Sequence, residues 1–219
     1  MATAREEVLA LVSEALRDVP AAEDLEQVPV APQDRAGAPA GDGDPGARAR
    51  RFAERVADDR AAVRRVRPGE LPAAVEEALR ERGVRRLIVP PDLPASWRPA
   101  GVELLVDGEL ANDVLDAADG VLTGCALGIA ETGTVVLDGG ARQGRRAMTL
   151  LPDYHLCVVE TSQIVESVPE AVAALDDANR ERRPITFASG RSATAAAELR
   201  RVAGVHAPRS LEVLVVEPS

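Results

Sequence analysis

"LPAAVEEALRERGVRRLIVP", residues 71 to 90, changes period once and in doing so sets the fold class. Residues 71–83 read as a helix whose stop is Gly83, because glycine takes the left-handed conformation of a helix end without steric cost. "RRLIVP" follows as a short, apolar, buried strand. A helix feeding directly into such a strand is half of an alternating unit, and the chain downstream keeps alternating.

After a Pro-rich loop around Trp97 come a strand "VELLVD" and a short helix around "NDVLDAAD". The apolar run "GVLTGCALGIA" reads as one central strand, "GTVVLDGG" as the strand after a turn at Glu131, and "HLCVVE" as a further buried strand. A helix over "VPEAVAALDDANRE", a strand "PITFAS", a helix starting near Ser192 and a last strand "LEVLVVE" complete the pattern. Short apolar strands separated by helices predict an α/β domain, a mostly parallel sheet with helices on both faces. The adjacent runs around Glu131 add a hairpin.

Upstream, "RARRFAERVADDRAAVRRVRPG" places Phe52, Val56, Val63 and Val66 at helical spacing and is read as one helix. Arg60, Arg64, Arg65 and Arg67 find no acid at i,i+4. They form either a solvated face balanced by the acidic remainder or a docking surface for an acidic partner. Residues 20–47, rich in Pro, Gly, Ala and Asp, read as a flexible linker. Residues 1–19 read as an amphipathic helical arm through Val8, Val12, Ala15, Leu16 and Val19. That arm would dock on its own core, on a twin subunit in a homo-oligomer, or on a partner. The α/β domain is expected over 48–219.

A formal net charge of -10 argues against nucleic-acid binding, which calls for the opposite sign. Phe52, Trp97, Tyr154 and Phe187 are too few for a base-stacking platform. No lysine is present, which removes Schiff-base and standard P-loop chemistry. The N-terminus shows no secretion signal, and no apolar run reaches the ~18 residues of a membrane span, so the expected address is the cytoplasm, with no membrane partner. Cys125 and Cys157 are far apart and read as reduced and structural; they do not suffice for an iron–sulfur cluster. His155 and His206 are not at metal spacing, so no metal site is expected.

Ligands of open α/β sheets bind beyond the carboxyl ends of strands. Two stretches qualify. In "GIAETGT", Gly128 and Gly133 permit close backbone approach, Thr132 and Thr134 offer hydroxyls, and apolar company around Glu131 would desolvate its carboxylate and suit it to proton transfer or nucleophilic attack. The alternative is a Glu that only braces a turn. In "ITFASGRSATAAAEL", a strand followed by Ser189, Gly190, Arg191, Ser192 and Thr194 resembles a helix start that meets an anion, a small carboxylate or phosphorylated ligand. Simple helix capping explains the same residues. His206 in "GVHAP" is either a site residue or a loop brace.

Taken in order, "GIAETGTVVL", "GRRAMTLLPDYHLCVVE", "ITFASGRSATAAAEL" and "GVHAPRSLEVLVVE" resemble the LUD-domain family, in its lactate-utilization branch, over roughly residues 50–217. The resemblance implies the fold shared by phosphosugar isomerases, glucosamine-phosphate deaminases and CoA transferases. It also implies a part in bacterial L-lactate oxidation to pyruvate beside partner subunits that carry the iron–sulfur clusters, with no cofactor on this chain. Glu131, Thr132, Gly133 and Thr134 match the family turn in full. In the second motif Ser189, Gly190, Ser192, Thr194 and Glu198 are kept, while Arg191 replaces a Pro, Ala193 an Arg, and Ala196–Ala197 an Asp-Ile pair. The turn is also similar to the Ser-Glu-Asn-Gly turn of some CoA transferases, in which the Glu attacks a thioester. Three functions therefore stand side by side: an accessory or substrate-handling subunit of lactate oxidation, a stand-alone acyl or CoA-handling enzyme using Glu131, and a non-catalytic anion-binding regulator.

Overall fold

The computed structural model describes residues 4–15, 17, 44–59, 61–189 and 210–218. The chain divides into an amino-terminal unit, of which α1 (Ala4–Ala15) is described, and a main unit. On α1, Val8, Leu9, Leu11 and Val12 are exposed. Leu16 and Val19 of the expected arm lie outside the described residues.

The main unit opens with α2 (Pro45–Asp58). Asp44 caps it by accepting from the Gly46 and Ala47 N–H groups, and Pro45 supplies a preset φ at the first position. Residues 45–47, which composition assigns to the linker, are thus the first turn of a helix. The helix then ends at Asp58, and residues that the sequence reads as its second half form strand β1 (Ala62–Val66). The spacing of Val63 and Val66 suits a helix, but in the strand Val63 packs on the cluster around Phe52 and Val66 on the opposite cluster around Leu79. Tertiary burial on both faces of a strand decides the conformation here.

After β1 a short turn leads into α3 (Leu71–Arg82), closed by Gly83 at φ +66°, and β2 (Arg86–Val89) follows. Next come β3 (Glu103–Val106), α4 (Asn112–Asp116) and β4 (Gly120–Thr123). The apolar run 120–130 is two strands: β4, and β5 (Leu127–Ile129) in a second sheet. The break falls at Gly124, whose N–H donates to Arg142 O (2.8 Å), while the Ala126 N–H turns to Val136 O (2.9 Å). Then follow β6 (Thr134–Leu137), α5 (Arg146–Leu150), β7 (Tyr154–Glu160) and β8 (Ile164–Val165). The single helix read over 168–181 is two, α6 (Val168–Ala174) and α7 (Asp176–Arg180). β9 (Thr186–Ser189) and β10 (Ser210–Val216) end the main unit.

The larger sheet has the order β1-β10-β7-β4-β2-β3 and is parallel throughout. One face carries Cys157, Val159, Val213 and Val215 and is covered by α2 and the second sheet. The other carries Leu156, Val158 and Leu214 and is covered by α3 and Trp97. The second sheet runs β8-β5-β6-β9, with β5 and β6 forming the expected hairpin, and α6 packs on its outer side through Ala171.

Candidate functional site

The β5–β6 hairpin holds the Glu131 turn against α2. Gly133 lies at φ +63°, and a Cβ there would stand 2.6 Å from Arg55 C and Val56 N, so only glycine allows the turn to press on the helix backbone. Gly128 in β5 lets the Phe52 ring approach closely, since a Cβ there would stand 3.0 Å from it and the ring would have to shift. The turn is tied again from below: the Glu131 N–H donates to Glu166 O (3.0 Å), and the nearly buried Glu166 carboxylate pairs with Arg51 of α2.

This packing leaves the Glu131 side chain exposed, with no hydrogen bond or ion pair among the described residues. The apolar neighbours that suggested desolvation in the sequence point elsewhere: Ile129, Ala130 and Val135 are all in the core. The residues that follow Glu131 begin a row of hydroxyls. Thr132 Oγ1 lies 2.7 Å from Thr134 Oγ1, which lies 2.6 Å from Ser189 Oγ. The row exists because β6 and β9 pair antiparallel with Thr134 opposite Ser189. Two stretches distant in sequence thus meet at Ser189. Gly190, Arg191, Ser192, Thr194, Glu198 and His206, with the helix read from Ser192, lie outside the described residues.

A second polar cluster sits inside the larger sheet. Thr123 Oγ1 donates to Gly124 O (2.7 Å) and lies 2.7 Å from His155 Nε2. A hydroxyl has one proton, so His155 donates from Nε2. Both side chains are buried. Cys125 and Cys157 are free and buried in the same region. Hydrogen bonding to Cys157, then burial, pushes the Cys125 thiol up, whereas donors from Cys125 and His155 outweigh burial and lower Cys157. Among the described residues no group of three or more His, Cys, Asp or Glu could hold a metal ion.

The arginine surplus of 60–67 is largely spent within the molecule. Arg64 meets Glu77, Glu81 and the buried Glu212, and Arg65 meets Glu217. Arg60 lies outside the described residues.

A cavity of about 600 Å³ lies at the carboxyl ends of β7 and β10, lined among others by Arg48, Leu71, Trp97, Glu160 and Val216. Elements from residue 45 to residue 218 build it, and no local pattern announces Arg48 among the neighbouring arginines.

A parallel sheet covered on both faces, with a smaller sheet that presents a Glu-Thr-Gly-Thr turn, defines an α/β protein. The LUD domain matches residues 49–216, and the chain belongs to that family. It is 51% identical over 166 residues to lactate utilization protein C of Deinococcus radiodurans, covering 75% of this chain and 77% of that one. With lactate utilization protein C of Halalkalibacterium halodurans it shares 31% identity over 168 residues, covering 71% and 73%. The crystal structure of a DUF162 family protein from Deinococcus radiodurans superposes with a TM-score of 0.69 at 45% identity, covering 79% of this chain and 98% of that one.

Proposed function

We propose that this chain is an accessory or substrate-handling subunit of a cytoplasmic L-lactate oxidation system, in which partner subunits hold the iron–sulfur clusters that accept the electrons. Support for the pathway comes from relatives called lactate utilization protein C, aligned over about three-quarters of their length. Two cysteines, both interior, do not fit the usual four thiolates of a cluster, so the clusters belong to the partners. The single observation that favours an accessory role over a stand-alone acyl-transferring enzyme is the exposure of Glu131. A carboxylate that attacks a thioester works in a water-excluded, preorganised pocket, whereas one on an exposed turn is suited to contact with a small carboxylic substrate or a partner surface.

Affinity capture of the tagged chain from its native cells, followed by lactate-dependent dye reduction, tests the proposal. The expected result is co-purification of iron–sulfur subunits and lactate oxidation that falls at least about tenfold in Glu131→Gln, the range for loss of one proton-transfer or charge-stabilising group. Capture without any iron–sulfur protein, or a glutamyl adduct at Glu131 after incubation with acyl-CoA thioesters, would reject it for the stand-alone enzyme.

A further inference from the structure

The cavity at the carboxyl ends of β7 and β10 is distinct from the hairpin and is not explained by the lactate reading. Its walls are mostly apolar, from Leu71, Trp97, Val216 and prolines, and its volume of about 600 Å³ falls within the ~300–1,000 Å³ of small-molecule sites. That is far more room than lactate fills. Its place also suits a ligand site, because β1, β10 and β7 are parallel neighbours and the residues that follow all three strands line it.

The polar groups decide what ligand is accepted. Glu160 is neutralised by Arg142 (2.8 Å) and Glu217 by Arg65 (2.5 Å). The first N–H groups of α2 are taken by Asp44, so the helix end offers no open donor there. Arg48 remains. Among the described residues its guanidinium has no acceptor, and its Nε is buried without one. A buried N–H of a charged group left unpaired is costly, and an incoming acceptor relieves that cost once the guanidinium swings toward it. One unpaired cation with two carboxylates close by favours a single negative charge over a polyanion, and the planar guanidinium fork matches a carboxylate. We propose that this cavity binds a small monocarboxylate with a bulky apolar body, its carboxylate on Arg48 and its body against Leu71 and Trp97.

Trp97 is the only tryptophan of the chain, so its fluorescence reports occupancy without a label. The full chain would be titrated with 3-phenylpropanoate, 3-phenylpropanamide, L-lactate and inorganic phosphate. A saturable change is expected with 3-phenylpropanoate, and binding at least about tenfold weaker for the amide, lactate and phosphate, as befits loss of a charge-assisted hydrogen bond or of apolar contact. Arg48→Gln should bring the acid down to the amide and leave the amide unchanged. Arg48→Lys, which keeps the charge but not the fork, should fall between. Urea unfolding of both variants confirms that they are folded. Equal affinity for acid and amide, tighter binding of phosphate, acid binding that survives Arg48→Gln in full, or no saturable change with any of the four would overturn the proposal. The readout needs no partner subunit, so its failure leaves the lactate reading untouched.

Discussion

Glu131 and Gly133 sit two positions apart on one turn and answer to different constraints. The Glu131 side chain is exposed and makes no hydrogen bond or ion pair among the described residues, while its backbone N–H does the bracing through Glu166 O. Glu131→Gln should therefore change unfolding free energy by no more than about 0.5 kcal/mol. Gly133 combines a left-handed φ with backbone atoms of α2 at 2.6 Å from any added Cβ. Gly133→Ala should cost about 2 to 4 kcal/mol, from αL strain plus displacement of a packed helix. Urea unfolding of the two variants separates these roles; a stable Gly133→Ala would mean that α2 yields easily and does not fix the turn. The turn thus keeps a chemically free carboxylate on a rigid base, as an interacting residue requires.

Among the elements, β1 shows most clearly what one chain pattern leaves undecided. Its five residues sit at the edge of the larger sheet and pair only with β10, and their register is fixed by a charge cluster: Arg64 Nε donates to Glu212 Oε1 (2.9 Å), and Tyr154 Oη donates to Glu212 Oε2 (3.0 Å). Glu212 is 1% exposed on a central strand. Glu212→Ala leaves the buried Tyr154 hydroxyl without its acceptor and takes one of three carboxylates from Arg64, which keeps Glu77 and Glu81, and should cost about 1 to 3 kcal/mol. Amide exchange would show β1 opening first; uniform loss of protection would argue that the cluster does not pin β1 in particular. No spacing rule ties Arg64 to an acid so far along the chain, which is why the arginines looked like surplus and the valines like a helix stripe. By contrast α3, Gly83 and β2 were legible because their signals are local: an end glycine, then a β-branched run. The hairpin was legible for the same reason. The division of 120–130 between two sheets was not, since it depends on Gly124 finding Arg142 O and Ala126 finding Val136 O. At the site, residues 131–134 could be read from one motif, but the row of hydroxyls needed the β6–β9 register and Arg48 needed the whole cavity.

For the molecule as a whole, the governing quantity is a carboxylate excess: 36 Asp and Glu against 26 Arg. Ten acids have no arginine to match, and protonating them as pH falls relieves repulsion. At 0.15 M salt that relief is small, because exposed charges farther apart than about 8 Å are screened. Paired aspartates act in the opposite sense. Burial tends to raise Asp107 and Asp138, but Arg145 with the Leu110 N–H outweighs it at Asp107, and Gln143, the Gly140 N–H and Arg183 outweigh it at Asp138. Asp119 is lowered by the Arg85 and Arg86 N–H groups. All three carboxyls are held below their unfolded value of about 3.9, so the unfolded chain takes up their protons first. Their contribution to stability is complete above about pH 4 and is lost as pH falls through the lower folded values. Urea midpoints should therefore stay nearly level from pH 7 to 5 and drop below about pH 4. The double variant Asp107→Asn/Asp138→Asn should start less stable at pH 7 and fall less steeply in acid. If its midpoint declines in parallel with the parent, the acid sensitivity lies in other carboxylates and these pairs do not govern it.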